Sequence, residues 1–464
     1  MSKLNLMIFL LGIFLLTEIH AQPLKRLEIS ENGRYLQTSD DKPFFYLGDT
    51  AWELFHRLDR EEADLYLQNR AEKGFTVIQA VVLAQLGGLT DPNPYDAIPL
   101  QEKDPTRPNE KYFEHVDYIV NKANQLGLYI GMLPTWGSYW LSGSNNKIFN
   151  PDNAQQFGEY LGKRYRESNV IWILGGDANI GNSSEKETIE AMARGLQKGD
   201  QGNHLITFHP RGPGRSSDYF HDADWLDFNM FQSSHAARNF DNGMFAAHDY
   251  NLNPPKPTID GEPRYENILV GFYYRGNNQM DKFDAIDART AAYWSLLSGA
   301  FGHTYGNNNI WQMYAPGRSA VINAQIPWFE AIDHPGAFNM GVLKDLFVSR
   351  PFHKLVPSED FIVDGPGEQA AKVKGAIASD RSFAFVYSPQ GGQFTVDLSM
   401  FEQQNINEYW YNPRYGEVNQ IHSGGSAAIK TYTPPTEGYT QDWVLVIDQQ
   451  KAGFDPPGLK NYFE

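Results

Sequence analysis

The sequence predicts an α/β protein in which a (β/α)8 TIM barrel is followed by a C-terminal antiparallel β-sandwich domain. From about residue 44 to 312, short apolar, β-rich runs alternate with polar or glycine-rich loops and with helical stretches. This alternation is typical of parallel βαβ units. The runs number eight, which is the number of strands that closes such a barrel. After Arg350-Pro351 the sequence pattern changes: short runs of alternating apolar and polar residues are separated by Gly, Pro, Asn and Ser turns, as in an antiparallel sandwich.

The barrel prediction depends on particular segments. A hairpin at 27–37 is expected to cover the bottom of the barrel, and helices are expected at 60–73, 110–126 and 154–167, the last capped by Asn153. An open, doubly wound sheet is the alternative that the pattern leaves open. The predicted barrel strands are 44–47, 76–83, 129–134, 170–174, 205–209, 227–231, 258–261 and 303–305.

The 464 residues are expected to divide into three parts. Residues 1–21 resemble a secretory signal peptide, with Lys3, an uncharged apolar stretch and Ala21 at its end; the stretch is shorter than the roughly 20 residues of a membrane span. An uncleaved membrane anchor is the alternative. Residues 22–350 form the barrel with its N-terminal hairpin, and residues 351–464 form the sandwich. We therefore expect an exported bacterial protein, periplasmic or secreted, without a membrane span once the signal is removed.

The amino-acid composition limits the classes of molecule that the protein is expected to bind. The net charge is −17 and the chain has no basic run, which argues against nucleic acid and against anionic membrane surfaces. An acidic polysaccharide remains compatible, because a single Lys or Arg can bind one uronate. With no cysteine in the chain, thiolate metal sites and disulfides are excluded. The histidine spacing matches no compact metal motif, so neither a metal nor another cofactor is expected.

Sugar-binding side chains follow the predicted strands. In barrel enzymes the active site lies on the loops at the carboxyl ends of the strands. Aromatic faces pack on the apolar side of a sugar ring, whereas amides, histidines and carboxylates bind hydroxyls. The candidate contacts to an oligosaccharide or polysaccharide substrate are Asp49, Trp52, Gln85, Trp136, Trp140, His209, Gln232, His235 and Trp311.

Asp177 and Glu262 form the strongest candidate catalytic pair. Cleavage of a glycosidic bond needs one carboxyl to protonate the leaving oxygen and a second to act as nucleophile or base. Strands four and seven lie across a barrel from each other, so acids at their ends can flank a bond. Asp177 alone could be a helix N-cap, and Glu262 alone could be a loop ion-pair partner. The rival acids are Asp49, Asp260 and Glu266.

Three motifs carry a resemblance to a known family. Residues 48–52 (GDTAW), 173–177 (ILGGD) and 260–266 (DGEPRYE) resemble the signatures of the apiosidase-like barrels of glycoside hydrolase family 140. The region from about residue 355 resembles the collagen-binding-type sandwich that commonly follows them. The resemblance implies that Asp177 is the acid/base, that Glu262 is the nucleophile, and that the activity is removal of apiose from the pectic polysaccharide rhamnogalacturonan II.

Together these observations predict an exo-acting, retaining glycoside hydrolase for plant cell-wall (pectic) glycans. Another barrel glycosidase, arabinofuranosidase-like or endo-acting, would use the same two carboxylates. There are two non-enzymatic alternatives. One is a carbohydrate-binding protein without turnover, and the other is an adhesin that acts through its sandwich.

Overall fold

The computed structural model describes residues 24–274, 280–401 and 405–463, so the predicted signal peptide lies outside the described residues. Within them, all eight predicted barrel strands are present as parallel strands, and one short antiparallel strand, β9, joins the same sheet. A small antiparallel sheet precedes them, formed by β1 (Leu27–Ile29), β2 (Leu36–Thr38) and β3 (Pro43–Phe44). The barrel sheet consists of β4 (Tyr46–Thr50), β5 (Val77–Leu83), β6 (Tyr129–Thr135), β7 (Val170–Leu174), β8 (Ile206–Phe208), β9 (Gly214–Arg215), β10 (Asn229–Gln232), β11 (Thr258–Asp260) and β12 (Gly302–Tyr305).

The parallel strands follow one another in chain order around the sheet. The hydrogen-bonded order is β8-β7-β6-β5-β4-β12-β11-β10, without the reversal of a doubly wound sheet. The seam between β8 and β10 is joined by the N–H of Asp227, which donates to the Ile206 carbonyl (2.9 Å). The Asp227 carboxylate accepts from the Ile206 N–H, and the Thr207 hydroxyl donates to the Phe228 carbonyl, each at 2.7 Å. The predicted barrel class is confirmed.

Helices connect the strands and pack around the barrel. The one expected at 154–167 starts earlier, because Asn150 and not Asn153 is its N-cap; Asn153 returns the bond from the third helical position. The helices are α1 (Leu54–Arg57), α2 (Arg60–Glu72), α3 (Glu110–Gln125), α4 (Pro151–Tyr165), α5 (Ser183–Asp200), α6 (Ser217–Phe220), α7 (Gly243–Tyr250), α8 (Ala285–Leu297), α9 (Asn308–Trp311), α10 (Trp328–Ala331) and α11 (Pro335–Val348). None of the described helices is long and apolar enough to cross a membrane.

The C-terminal region is a two-sheet antiparallel sandwich. A separate apolar core, which includes Val386, Phe394, Trp410 and Leu445, lies between its sheets. The sheet orders are β13-β15-β16-β21-β18-β19 and β14-β17-β20. The strands are β13 (Leu355–Pro357), β14 (Ile362–Asp364), β15 (Lys374–Ala378), β16 (Phe383–Ser388), β17 (Phe394–Asp397), β18 (Ile406–Tyr411), β19 (Val418–Gly424), β20 (Ile429–Tyr432) and β21 (Trp443–Gln449).

Barrel and sandwich share a packed interface. Tyr293 of α8 stacks on Tyr387 of β16, with ring centroids 4.4 Å apart. Arg350 donates two hydrogen bonds, at 3.0 and 2.6 Å, to the buried carboxylate of Asp448. A buried charge pair and a stacked aromatic pair therefore both cross the junction, and the sandwich packs directly against the helical side of the barrel.

Candidate active site

A run of two glycines positions Asp177 at the carboxyl end of β7. Gly175 and Gly176 have φ angles of +94° and +76°, and Asp177 itself has +57°, in the left-handed region that favours glycine. A Cβ on Gly175 would lie 2.3 Å from the His209 carbonyl oxygen, and one on Gly176 would lie 2.6 Å from the Thr135 carbonyl oxygen. Only glycines therefore let this turn pass between the ends of β6 and β8, and Asp177 is held over the barrel in a strained backbone conformation.

Two histidines surround Glu262, which follows β11. His235 Nε2 lies 3.1 Å from Glu262 Oε1, within hydrogen-bonding geometry. His209 Nε2 lies 3.2 Å from Oε2, but the angle is not that of a hydrogen bond, and both atoms are buried without a partner among the described residues. The Asp177 N–H donates to His209 Nδ1 (3.2 Å). We infer from this bond that Nδ1 is unprotonated and that the His209 proton sits on Nε2, the ring nitrogen 3.2 Å from Glu262 Oε2.

The surroundings shift the pKa values of the Asp177 and Glu262 carboxyls in opposite directions. Burial and, second, the negative charge of Glu262 raise the pKa of Asp177 to about 7, although His209, Arg211 and a hydrogen bond from Gln232 act against the shift. Burial alone would raise the pKa of Glu262, but the interactions with His209 and His235 outweigh it and hold that pKa below its usual range. Near neutral pH one carboxyl can hold a proton while the other is ionised, as an acid/nucleophile pair requires.

Both acids line one open pocket of about 210 Å³ above the barrel. Among the predicted substrate contacts, the wall contains Trp52, Gln85, Trp136, Gln232, His235 and Trp311. The indoles of Trp52 and Trp136 pack against each other with centroids 5.8 Å apart. Carboxylates, amides and aromatic rings therefore meet at the same cavity.

Three predicted substrate contacts do not line this pocket. Asp49 is fully buried, where it accepts hydrogen bonds from Tyr66 and Arg70 of α2. Trp140 is also fully buried, and its indole N–H donates to the Gly175 carbonyl (2.7 Å); it supports the glycine turn from below. His209 lies beneath the pocket, where it contacts both acids.

The rival acids have structural partners. Asp260 accepts from the Ser233 hydroxyl and from the Asn242 amide. Glu266 accepts from the Tyr305 hydroxyl and from the Gly336 N–H. Within the described ranges, no group of three or more His, Asp or Glu side chains could hold a metal ion.

The family model of the apiosidase-like catalytic domain matches residues 30–354. The chain belongs to the apiosidase-like family. A second family model, described as "Putative collagen-binding domain of a collagenase", matches residues 356–448, which is the sandwich. The predicted resemblance is confirmed for both parts.

Solved structures agree with this assignment. A glycoside hydrolase that is 34% identical to this apiosidase-like protein superposes with a TM-score of 0.83, over 92% of this chain and 97% of the other. A glycoside hydrolase family 5 structure from Bacteroides vulgatus is 32% identical, with a TM-score of 0.84 over 92% and 94% of the two chains. A comparison with curated proteins gave no match. The protein is thus a glycoside hydrolase with an apiosidase-like catalytic domain.

Several pocket residues of the apiosidase-like site were not predicted. Arg211 and Ser234 lie two residues beyond His209 and Gln232, at the same barrel rim. The phenol ring of Tyr265 packs against His235, with centroids 4.6 Å apart, and Tyr265 lines the same pocket as Glu262. Arg211, Ser234 and Tyr265 follow barrel strands, so the expectation that active-site residues lie at the carboxyl ends of the strands could have identified them. Ile268, Phe272, Tyr273, Val321 and Ile322 come from long loops whose path the sequence pattern does not give.

Proposed function

We propose that the protein is an exo-acting, retaining glycoside hydrolase for pectic glycans, with Asp177 as acid/base and Glu262 as nucleophile. The observation that carries the two roles is a pair of carboxyls on one pocket wall, with His235 Nε2 3.1 Å from Glu262 Oε1; these surroundings raise the pKa of Asp177 and lower that of Glu262. Family membership supports the residue roles, since these residues stand at the positions of the family's acid/base and nucleophile motifs.

In the first step, protonated Asp177 donates its proton to the leaving oxygen while ionised Glu262 attacks the anomeric carbon. This gives a covalent glycosyl-enzyme and a free leaving alcohol. In the second step, ionised Asp177 takes a proton from a water molecule, which attacks the anomeric carbon and releases Glu262. His235 holds the Glu262 carboxyl in position and favours its ionised form before the first step and after the second; between the steps Glu262 is the ester of the glycosyl-enzyme.

Exo action is the part of the proposal that rests on family membership. Val321, Ile322, Phe272 and Tyr273 add apolar surface to the wall of the pocket that holds the two acids. The substrate that family membership suggests is apiose in rhamnogalacturonan II.

The test is release of sugars from pectic fractions, including rhamnogalacturonan II, by the wild type and by three variants. Glu262→Gln should abolish turnover with every leaving group, because no covalent intermediate can form. Asp177→Asn should lose most activity on natural glycans but much less on the first step with an activated aryl glycoside, whose leaving group needs little protonation. Glu61→Gln, which removes an exposed carboxylate of α2, is the control.

Release of monosaccharide by wild type and control supports the proposal. Release of oligosaccharides would favour the endo-acting alternative, and saccharide binding without any release would favour a binding protein.

We also propose that the protein acts outside the cytoplasm, in the periplasm or as a secreted enzyme. The apolar segment before Ala21 supports this. N-terminal sequencing of the protein from fractionated cells tests it: a start near Gln22 in an extracytoplasmic fraction is expected, and an intact Met1 in the cytoplasm would contradict it.

A further inference from the structure

A second cavity opens beside the catalytic pocket, and the two share Gln85 as a common wall residue. We name it the lysine pocket after Lys103 and Lys147. It has a volume of about 340 Å³, and its other wall residues are Gly87, Leu89, Thr90, Tyr139, Asn145, Asn146 and Ile148. Two exposed lysines and three side-chain amides therefore border one space next to the catalytic pocket.

The charge of this pocket is opposite to that of the chain. The protein has 56 acidic and 39 basic residues, yet the residues that line the lysine pocket include no Asp or Glu. Among the described residues, neither Lys103 nor Lys147 has an ion-pair partner, whereas the neighbouring Glu102 is paired with Arg107. The nearby Asp91 carboxylate accepts from the Thr90 hydroxyl. The two ammonium groups are thus available to an anionic ligand.

The loop that carries Lys103 has a fixed and strained backbone. Glu102 and Lys103 have φ angles of +54° and +60°, which non-glycine residues seldom adopt in succession. Hydrogen bonds from the Gln101 N–H to the Arg107 carbonyl and from the Asn109 N–H to the Pro99 carbonyl close the loop. Strained positions of this kind persist where the surrounding structure enforces them, and they concentrate at binding sites.

We propose that the lysine pocket binds a carboxylate-bearing sugar unit of the substrate, with Lys103 and Lys147 as specificity-determining residues. The lysines supply the charge for the carboxylate, the amides of Asn145 and Asn146 suit sugar hydroxyls, and Gln85 bridges to the unit bound at the catalytic pair. This inference rests on the proposed function for the identity of the neighbouring cavity, but binding at the lysine pocket does not require turnover.

The experiment measures binding by titration calorimetry. The probes are trigalacturonate and its fully methyl-esterified counterpart, and the proteins are the wild type, Lys103→Gln, Lys147→Gln and the double variant. Lys42→Gln is the matched control, because Lys42 is an exposed lysine at β3 of the hairpin sheet, away from both pockets.

We expect the wild type and the control to bind trigalacturonate with a Kd that rises with salt. The double variant should bind about tenfold more weakly, since two partly exposed ion pairs are lost, and each single variant should fall between. The methyl ester should bind to the wild type about as weakly as trigalacturonate binds to the double variant. Equal affinity of wild type and double variant, equal affinity for acid and ester, or no binding of either probe would overturn the proposal. Binding by a protein that hydrolyses no glycan would support the lysine pocket and contradict the proposed function alone.

Discussion

Replacing His235 with alanine should raise the pKa of the nucleophile and move the acid limb of the pH profile upward. The substitution removes the hydrogen bond of 3.1 Å between His235 Nε2 and Glu262 Oε1, two groups that are both buried. A hydrogen bond to a charged group contributes about 1.5–3 kcal/mol, and one pKa unit corresponds to about 1.4 kcal/mol. The pKa of Glu262 should therefore rise by about one to two units.

The direction in which the pH profile moves follows from the protonation state in which each carboxyl reacts. Glu262 must be ionised to attack, so activity is lost as pH falls through its pKa, and a higher pKa brings that loss at a higher pH. Asp177 must be protonated, so activity is lost as pH rises through its pKa of about 7. The two limbs report macroscopic values of the interacting pair. The His235→Ala profile should be narrower, with its acid limb displaced and its basic limb near that of the wild type.

The assay is kcat/KM for an activated aryl glycoside between about pH 2.5 and 9, with circular dichroism to confirm folding at each pH. His422→Ala in β19 of the sandwich serves as the control. An acid limb that stays in place, or that moves to lower pH, would refute the role assigned to His235.

Three further predictions concern the glycine turn beside Asp177, the barrel–sandwich interface and the pocket wall. Gly175→Ala should destabilise the protein by about 2–5 kcal/mol in urea unfolding, because a positive φ and a backbone clash act together. Gly127→Ala, with a φ of +82° and open space around the added Cβ, should cost only about 1–2 kcal/mol. Arg350→Met should destabilise by about 3–5 kcal/mol, because it leaves the Asp448 carboxylate buried without its cation. Trp136→Ala should raise KM about tenfold with a smaller effect on kcat, since the indole forms part of the pocket wall.

Each of these has a clear contrary result. Equal costs of the two glycine substitutions would show that the contact beneath Gly175 yields easily. Full stability of Arg350→Met, or no recovery when Asp448 is also changed to leucine, would contradict the buried-pair argument. A purely kcat effect in Trp136→Ala would place the indole in the chemical step and not in substrate binding.

The fold was largely predictable because the parallel strands are continuous apolar runs. Segments such as Val170–Leu174, fully buried along its length, carry their own signal. The N-cap at Asn150 was missed because Asn153 offers the same side chain three positions later, and only the helix path shows which one stands outside the first turn. The closing seam at Asp227 also depends on a side chain that takes the place of a ladder bond.

The two catalytic candidates were predictable because their positions follow from strand ends alone. The orientation of other rim residues was not. Asp49 stands at a strand end as Asp177 does, but a tyrosine and an arginine from α2 donate hydrogen bonds to its carboxylate. The sequence around Asp49 gives no sign of this helix packing. Trp140 follows the short 3-10 turn at Gly137–Tyr139, which turns its indole inward. Lys103 reaches its pocket through a left-handed backbone that no composition rule indicates.

The central claim is that Glu262 is the nucleophile of a retaining reaction in which Asp177 is the acid/base. Time-resolved NMR of the first-formed sugar anomer, combined with mass spectrometry of acid-quenched enzyme, tests it most directly. The account predicts that the substrate's anomeric configuration is kept in the first product and that one glycosyl unit is attached to the peptide containing Glu262. Initial release of the inverted anomer, or a glycosyl unit attached to any other residue, would contradict it.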